Sequence, residues 1–370
     1  MIAAVIADDL TGAAELASAA AELGFSAEVQ TAFDPVSDAE IICLDTNSRT
    51  LSPDQAANVV AHATQQLLQL NPAWLFKKTD SVLRGNVSAE IESILRTSNL
   101  TRAVLAPANP SKCRVIRDGT YFVDGIPLSQ TAFAHDPHHP RTTSDVGAML
   151  GSPSKTIDIP DVTDSADLHR LASSLTTQSL PAGGVDFFRA VLQHRTTLRP
   201  APAAPLHFAP PTLFCSGSLH GWSTTSAAEF RTRSIPILPM PEDLRAPTPT
   251  RNTTLNEWAV DVHKILASNS CVAISIGEAC ATPPDLLTTR MAAVVSQILS
   301  RTPIPTLVIE GGSTASAILH ALHFTRLKSV PTPALPGIAA LHPHATATPA
   351  ILLKPGSYPW PPSLWPHVTH

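Results

Sequence analysis

Short apolar, β-branched runs alternate along this chain with longer, alanine-rich amphipathic segments, a pattern that parallel strands covered by helices satisfy. In the first half Ile2–Ala7, Ile41–Asp45 and Trp74–Lys78 read as strands. Thr11–Leu23 reads as a helix closed by Gly24, which tolerates the left-handed conformation just past a helix end. Ser52-Pro53 supplies the N-cap and first-turn proline of a helix running to Leu70. Asp118-Gly119 and Asp124-Gly125 separate Arg114–Arg117, Thr120–Val123 and Ile126–Leu128, which gives a small antiparallel meander with two tight turns. Ser144, Asp164 and Asp186 are each placed to start a further helix.

In the second half Thr212–Cys215, Ile235–Leu238, Cys271–Ile276 and Thr306–Ile309 read as strands. Trp222–Thr232, Leu255–Ala267, Leu286–Ser300 and Thr314–Leu322 read as the helices between them. A chain of 370 residues exceeds the size at which one hydrophobic core keeps growing. The proline-rich stretch from Arg199 to Pro211 suits neither helix nor central strand and reads as an extended spacer. The expected architecture is therefore two α/β domains with mostly parallel sheets, the first carrying the meander: residues 1–198, a linker 199–211, and residues 212–370.

Net charge is −5, and no run of Lys or Arg offers the footprint that nucleic acid or an anionic membrane surface needs, so both are set aside as partners. The N-terminus lacks the basic region of a signal peptide, and no apolar stretch approaches the length of a membrane span. Cys43, Cys113, Cys215, Cys271 and Cys280 are odd in number and widely spaced, which fits buried free thiols in a reducing, cytoplasmic setting.

Ligands of open parallel sheets sit outside the carboxyl ends of the strands, and the polar motifs of this chain fall there. Asp8 and Asp9 follow the first strand, where Thr11-Gly12 opens a helix; helix capping explains this pair as well as function does. Lys77, Lys78, Asp80, Arg84 and Asn86 crowd the end of the third strand, more charge than packing requires and more ordered than a surface salt-bridge cluster needs to be. An arginine here can grip a carboxylate with two parallel N–H bonds, and an aspartate can accept a proton from, or orient, a hydroxyl. In Glu310-Gly311-Gly312-Ser313-Thr314-Ala315 a strand meets two glycines and a helix, an arrangement that admits a phosphate as readily as a plain turn. Cys215-Ser216-Gly217-Ser218 and Lys354-Pro355-Gly356 are similar junctions. Neither the P-loop nor the dinucleotide glycine fingerprint occurs. His135, His138 and His139 lie in a proline-marked loop without the spacing of a zinc frame, so no residue is assigned to a dedicated metal site.

These segments together resemble the four-carbon acid sugar kinase family. The resemblance rests on Ala7–Gly12, Lys77–Asn86, Asp118–Leu128, Thr131–Pro137, Ser144–Val146 and Gly311–Ala315, and it is strongest from Met1 to Val146. It implies an N-terminal domain that holds a sugar acid such as a 3-oxo-tetronate, threonate or erythronate, and a C-terminal domain that holds ATP with Mg²⁺ bridging the phosphates. Carried over residue by residue, it implies that Asp9, Lys78, Arg84 and Asn86 bind the acid. Asp80 is the first choice and Asp8 the second for the group that handles the hydroxyl proton. Ser216, Ser218, Gly277, Gly311, Gly312, Ser313, Thr314 and Gly356 would line the nucleotide.

Ser313 stands where the family pattern has aspartate, which removes a carboxylate that could serve Mg²⁺. A catalytically degenerate sugar-acid-binding protein of the same fold is therefore the alternative. A dehydrogenase is disfavoured because no dinucleotide fingerprint follows the first strand. A homo-oligomer is compatible with the sequence, which does not identify the acid.

Overall fold

The computed structural model describes residues 1–136, 139–151, 155–197, 199, 208–247, 252–278, 280–333, 335–344, 349–356 and 358–368. The chain divides into two compact units, Met1–Ala201 and Pro202–His370. Residues 200–207 of the proline-rich spacer, and His138, lie outside the described residues.

The first unit is a doubly wound sheet. Its strands β1 (Ala3–Ala7), β2 (Ala27–Gln30), β3 (Ile41–Asp45), β4 (Trp74–Lys78) and β5 (Arg102–Ala106) are parallel, with β9 (Ile157–Asp158) and β10 (Ser179–Gly183) completing the order β2-β3-β1-β4-β10-β5-β9. Chain direction reverses across β1: the helix Leu10–Glu22 leads outward to β2, whereas the helix Pro53–Leu68 carries the chain from β3 over β1 to β4. Right-handed crossovers then place the two helices on opposite faces, and the loops after β1, β3 and β4 converge at a switch point. β1, β3 and β4 are buried throughout, as a sheet covered on both faces requires. Phe76, Phe187 and Phe188 lie fully inside this unit.

The meander forms as the sequence indicates, with β6 (Arg114–Arg117), β7 (Thr120–Val123) and β8 (Ile126–Pro127) antiparallel. Asp118, Gly119, Asp124 and Gly125 have φ of 49°, 67°, 51° and 78°, the positive values that two-residue hairpin turns demand. Ser52 closes a capping box with Gln55 ahead of Pro53, and Asp164 closes one with Asp167. The short helix Val146–Met149 differs from expectation: Asp145, not Ser144, accepts the Ala148 N–H as its cap. The Ser144 hydroxyl instead receives the Ser129 N–H at 2.9 Å.

In the second unit β11 (Thr212–Ser216), β12 (Ile237–Pro239), β13 (Cys271–Ser275), β14 (Thr306–Glu310) and β17 (Ala350–Lys354) are parallel. β15 (Arg326–Val330) and β16 (Ala339–Pro343) join antiparallel, giving β12-β13-β11-β14-β17-β16-β15. Phe214, Phe230, Trp360 and Trp365 form an aromatic core with ring centroids 5.2 to 6.1 Å apart. The helix after β11 contains a π-helical turn at Trp222–Ser226, a distortion frequent beside functional sites.

All five cysteines are free; Cys43, Cys215 and Cys271 are buried, but Cys113 and Cys280 are exposed, contrary to the expectation of burial. Cys113 follows a short helical turn with φ of 52° at the start of the meander, a connection that stays at the surface. No described helix is long and apolar enough to cross a membrane.

Candidate functional site

Alternation along β4 separates its two lysines. Lys77 is wholly buried in an ion pair with Glu90 of the helix Val87–Ser98, Nζ to Oε2 2.6 Å, and Ser48 donates to the other Glu90 oxygen at 2.6 Å. Lys78 points the opposite way and pairs with Glu15 of the helix Leu10–Glu22 at 3.2 Å; Lys112 meets the second Glu15 oxygen at 2.6 Å. Burial opposes ionisation of Glu15, but Lys78 and Lys112 outweigh it and hold the carboxyl at about 2.

Asp8 follows β1 and receives a two-pronged contact from Arg49, Nε to Oδ2 2.7 Å and Nη2 to Oδ1 3.1 Å. The third Arg49 nitrogen donates to Asp9 at 2.8 Å. Asp9 is also the N-cap of its helix, accepting the Gly12 N–H at 2.9 Å, so capping and the charge cluster share one residue. A Cβ at Gly12 would fall 2.7 Å from Asp9 Oδ1, which explains the glycine.

Asp80 anchors the turn after β4. Its Oδ2 accepts the backbone N–H groups of Val82 and Arg84 at 3.0 and 3.2 Å, and the Arg84 side chain grips it in a fork, Nε to Oδ2 3.0 Å and Nη2 to Oδ1 2.8 Å. The remaining Arg84 nitrogen donates to Asp136 at 3.1 Å. The fork that the sequence suggests for a ligand carboxylate is thus held by Asp80. Burial alone would raise the Asp8 and Asp80 carboxyls, yet Arg49 with Lys77 holds Asp8 below the usual range, and Arg84 with Arg49 holds Asp80 well below it. Asn86 donates to the carbonyls of Leu51 and Ser48 at 2.8 and 3.4 Å, tying the loop after β3 to the helix that follows.

Asp45, at the end of β3, is buried and among the described residues receives only the Asn47 N–H, at 2.8 Å. Burial, reinforced by Asp9 and Asp8, pushes its carboxyl up to about 7. Arg49, Glu15, Lys112 and Asp45 are absent from the residues singled out by sequence. Arg49 had a usable signal, since Thr46-Asn47-Ser48-Arg49 follows a strand at its carboxyl end, whereas Glu15 lies mid-helix and has none.

In the second unit the ends of β11, β14 and β17 converge. Glu310 and Lys354 are paired across β14 and β17 and form a buried ion pair of 2.7 Å. Ser226 donates to Glu310 at 2.8 Å, Ser216 donates to it also, and Trp360 Nε1 donates to Ser226 at 2.8 Å. Above this network the Thr314 and Ser218 side chains occupy the space beside two glycines: a Cβ at Gly217 would lie 1.7 Å from Thr314 Oγ1, and one at Gly356 2.4 Å from Ser218 Oγ. Gly311 has φ of 103° and precedes the helix Gly312–Ala321, whose first turn receives no side-chain cap. The structure thus gathers Ser216, Ser218, Gly311, Gly312, Thr314 and Gly356 around one set of strand ends. Gly277, with φ of 86°, follows β13, and a Cβ there would meet only Arg245, at 3.9 Å. Sequence reading did not assign roles to Glu310, Lys354, Ser226 or Trp360.

Among the described residues no group of three or more His, Cys, Asp and Glu side chains could hold a metal ion. The Glu310 carboxylate is enclosed by Lys354, Ser216 and Ser226 and so is not free to hold Mg²⁺. The glycine cradle and the uncapped helix start do fit a phosphate group.

A D-threonate kinase of Salmonella typhimurium (strain LT2) is 34% identical over 199 residues, 52% of this chain and 47% of that protein. A D-threonate kinase of Bordetella bronchiseptica is 31% identical over 209 residues, 48% of this chain and 52% of that protein, and a D-erythronate kinase of Heliobacterium modesticaldum is 34% identical over 157 residues, 41% of this chain and 36% of that protein. The matches span about half the length of the first two relatives. Two solved structures share the fold: Haemophilus influenzae protein HI1011, at TM-score 0.73 and 19% identity over 97% of this chain and 98% of that one, and a protein described as a putative tRNA synthase from Salmonella typhimurium LT2, at TM-score 0.80 and 17% identity over 98% and 97%. The family profile of the sugar-binding N-terminal domain matches residues 3–187, the stretch that carries the Asp8, Arg49 and Asp80 cluster, and the chain belongs to that family.

Proposed function

We propose that the chain is an ATP-dependent kinase that phosphorylates a terminal hydroxyl of a four-carbon sugar acid, a threonate, erythronate or 3-oxo-tetronate. The observation that carries this reading is the charged cluster at the strand ends of the first unit, within the residues matched by the sugar-binding family and in a chain related to proteins named for these acids. A cytoplasmic location belongs to the same reading.

ATP would supply the phosphoryl group, with Mg²⁺ neutralising charge on its phosphates. The N–H groups at Gly312, Ser313 and Thr314 and the hydroxyls of Ser218 and Ser313 would hold phosphate oxygens, the helix dipole adding to the attraction. The Glu310–Lys354 pair would keep the β14 and β17 loops in fixed register beneath them. In the first unit Lys78, held above its usual pKa by Glu15, Asp9 and Asp8 in spite of burial, stays charged and would attract the anionic acid. Asp80 and Asp8 stay ionised and would orient the attacking hydroxyl; one of them, Asp80 before Asp8, would take its proton as the hydroxyl oxygen bonds to the γ-phosphorus and the bond from that phosphorus to ADP breaks, since phosphoryl transfer depends mainly on positioning.

One observation favours a second reading, a sugar-acid-binding protein without turnover: Ser313 stands where the family pattern has aspartate, and the Glu310 carboxylate nearby is already engaged by Lys354, Ser216 and Ser226. Calorimetric titration with Mg·ATP and, separately, with threonate and erythronate decides between them. Binding of both nucleotide and acid supports the kinase; binding of acid alone supports the second reading.

A further inference from the structure

The cations of the first unit's cluster divide into two groups. Arg49 is matched by Asp8 and Asp9, Lys78 and Lys112 by Glu15, and Arg84 by Asp80 and Asp136. Arg114 and Arg141, by contrast, form no ion pair among the described residues. Arg114 donates to Ser81 Oγ and lies over the Phe133 ring at 5.6 Å. Arg141 donates through Nη2 to the carbonyl of Leu83 at 2.7 Å, and its backbone N–H bonds to Phe133 O at 2.9 Å.

Arg141 is the less satisfied of the two. Its Nε is buried with no hydrogen-bond partner among the described residues, and so is Nε2 of His139 two residues earlier. The backbone N–H of His139 is fixed by Asp136 at 2.8 Å, and Asp136 in turn holds Arg84, so the segment bearing both side chains is fastened to the Asp80–Gly85 turn. Leu83 has φ of 62°, a strained value for leucine that presents its carbonyl to Arg141. A guanidinium with a buried unmet N–H, beside Arg84 and held in place through a carbonyl rather than a carboxylate, lacks the one partner that its geometry suits, a planar anion.

We propose that Arg141, with His139 beside it, takes the carboxylate of the sugar acid, while Arg84 serves to hold Asp80. The assignment rests on the reading of this unit as a sugar-acid site. Burial and the nearby Arg141 lower the His139 pKa, so its ring is neutral at pH 7 and acts as a hydrogen-bonding group rather than a second charge.

The test is calorimetric binding to the full chain of threonate and erythronate against the uncharged tetritols threitol and erythritol. Arg141→Met is expected to weaken binding of the acid by at least about tenfold while leaving the polyol unchanged, and Arg141→Lys to recover part of the loss. Unchanged acid affinity in Arg141→Met, or an equal loss for acid and polyol, overturns the assignment. His139→Ala, a milder change, is expected to weaken the acid selectively by a smaller factor. If the wild-type chain binds neither acid, the functional reading fails separately. Arg141 is then judged by the thermal upshift that malonate gives: an upshift abolished in Arg141→Met retains it as an anion site, and an upshift that persists in the variant or is missing from the wild type rejects it.

Discussion

Glu310 Oε1 lies 2.7 Å from Lys354 Nζ, and neither side chain is exposed to solvent. The two residues stand opposite one another at the last paired position of β14 and β17, immediately before the glycine loops. Removing one partner strands a buried charge, which typically costs about 3–5 kcal/mol, while replacing both with groups of similar volume can be nearly neutral. Glu310→Gln is therefore expected to lower Tm sharply, and Glu310→Gln combined with Lys354→Met to recover much of the loss. Equal Tm losses in the single and double variants would deny the pair its structural role.

The contact between Gly217 and Thr314 separates nucleotide from acid. Thr314 is buried, and the Cβ of Gly217→Ala would stand 1.7 Å from its hydroxyl, so the loops must part. Affinity for ATP is expected to fall by at least about tenfold with threonate affinity unchanged, as calorimetry of each ligand would show. Intact ATP binding in this variant would remove these loops from the nucleotide site.

Arg84 grips Asp80 rather than standing free, so Arg84→Ala releases the turn after β4. The KM for the acid is expected to rise about tenfold or more with little change in that for ATP. A parallel rise in both would place Arg84 outside the acid site.

Asp45 gives the molecule a pH signature. Its carboxyl is near 7 in the folded state and close to 4 when unfolded, so between these values the unfolded chain has released a proton that the native one retains. Native stability from this group therefore falls as pH rises from about 4 to about 7 and stays lowered above that, by an amount on the order of a few kcal/mol. Asp45→Asn, which keeps the acceptor for Asn47, is expected to raise Tm at pH 8 and to leave it unchanged at pH 4. Glu15 works in the opposite sense: held at about 2, it stabilises the fold above pH 4.5 and loses that contribution as pH falls toward 2. A Tm difference between Asp45→Asn and wild type that does not vary with pH would contradict the assignment.

The sequence revealed what depends on local pattern. β1, β3 and β4, the caps at Ser52 and Asp164 and the meander turns follow from alternation, capping chemistry and Asp-Gly pairs. β10 was hidden because Pro181 and Gly183 disfavour a central strand, yet Gly183 is required there: a Cβ would lie 2.1 Å from Ala106 O of the neighbouring strand. β5 is short and alanine-rich, and such a run does not distinguish strand from helix. In the site, motif residues such as Asp80 and Gly311 were visible from their place after strands. Their partners were not, because Arg49 reaches Asp8 across 41 positions of chain and Ser226 reaches Glu310 across 84. Lys77 looked like a ligand residue only until alternation along β4 sent it to Glu90.

The central claim is tested most directly by acid-dependent release of ADP from Mg·ATP, measured over a panel of threonates, erythronates and 3-oxo-tetronates. The kinase reading predicts saturable turnover with at least one of these acids, with a raised KM for ATP in Gly217→Ala and a raised KM for the acid in Arg84→Ala. No ADP release with any acid of the panel, from a folded chain that binds one of them, would contradict it.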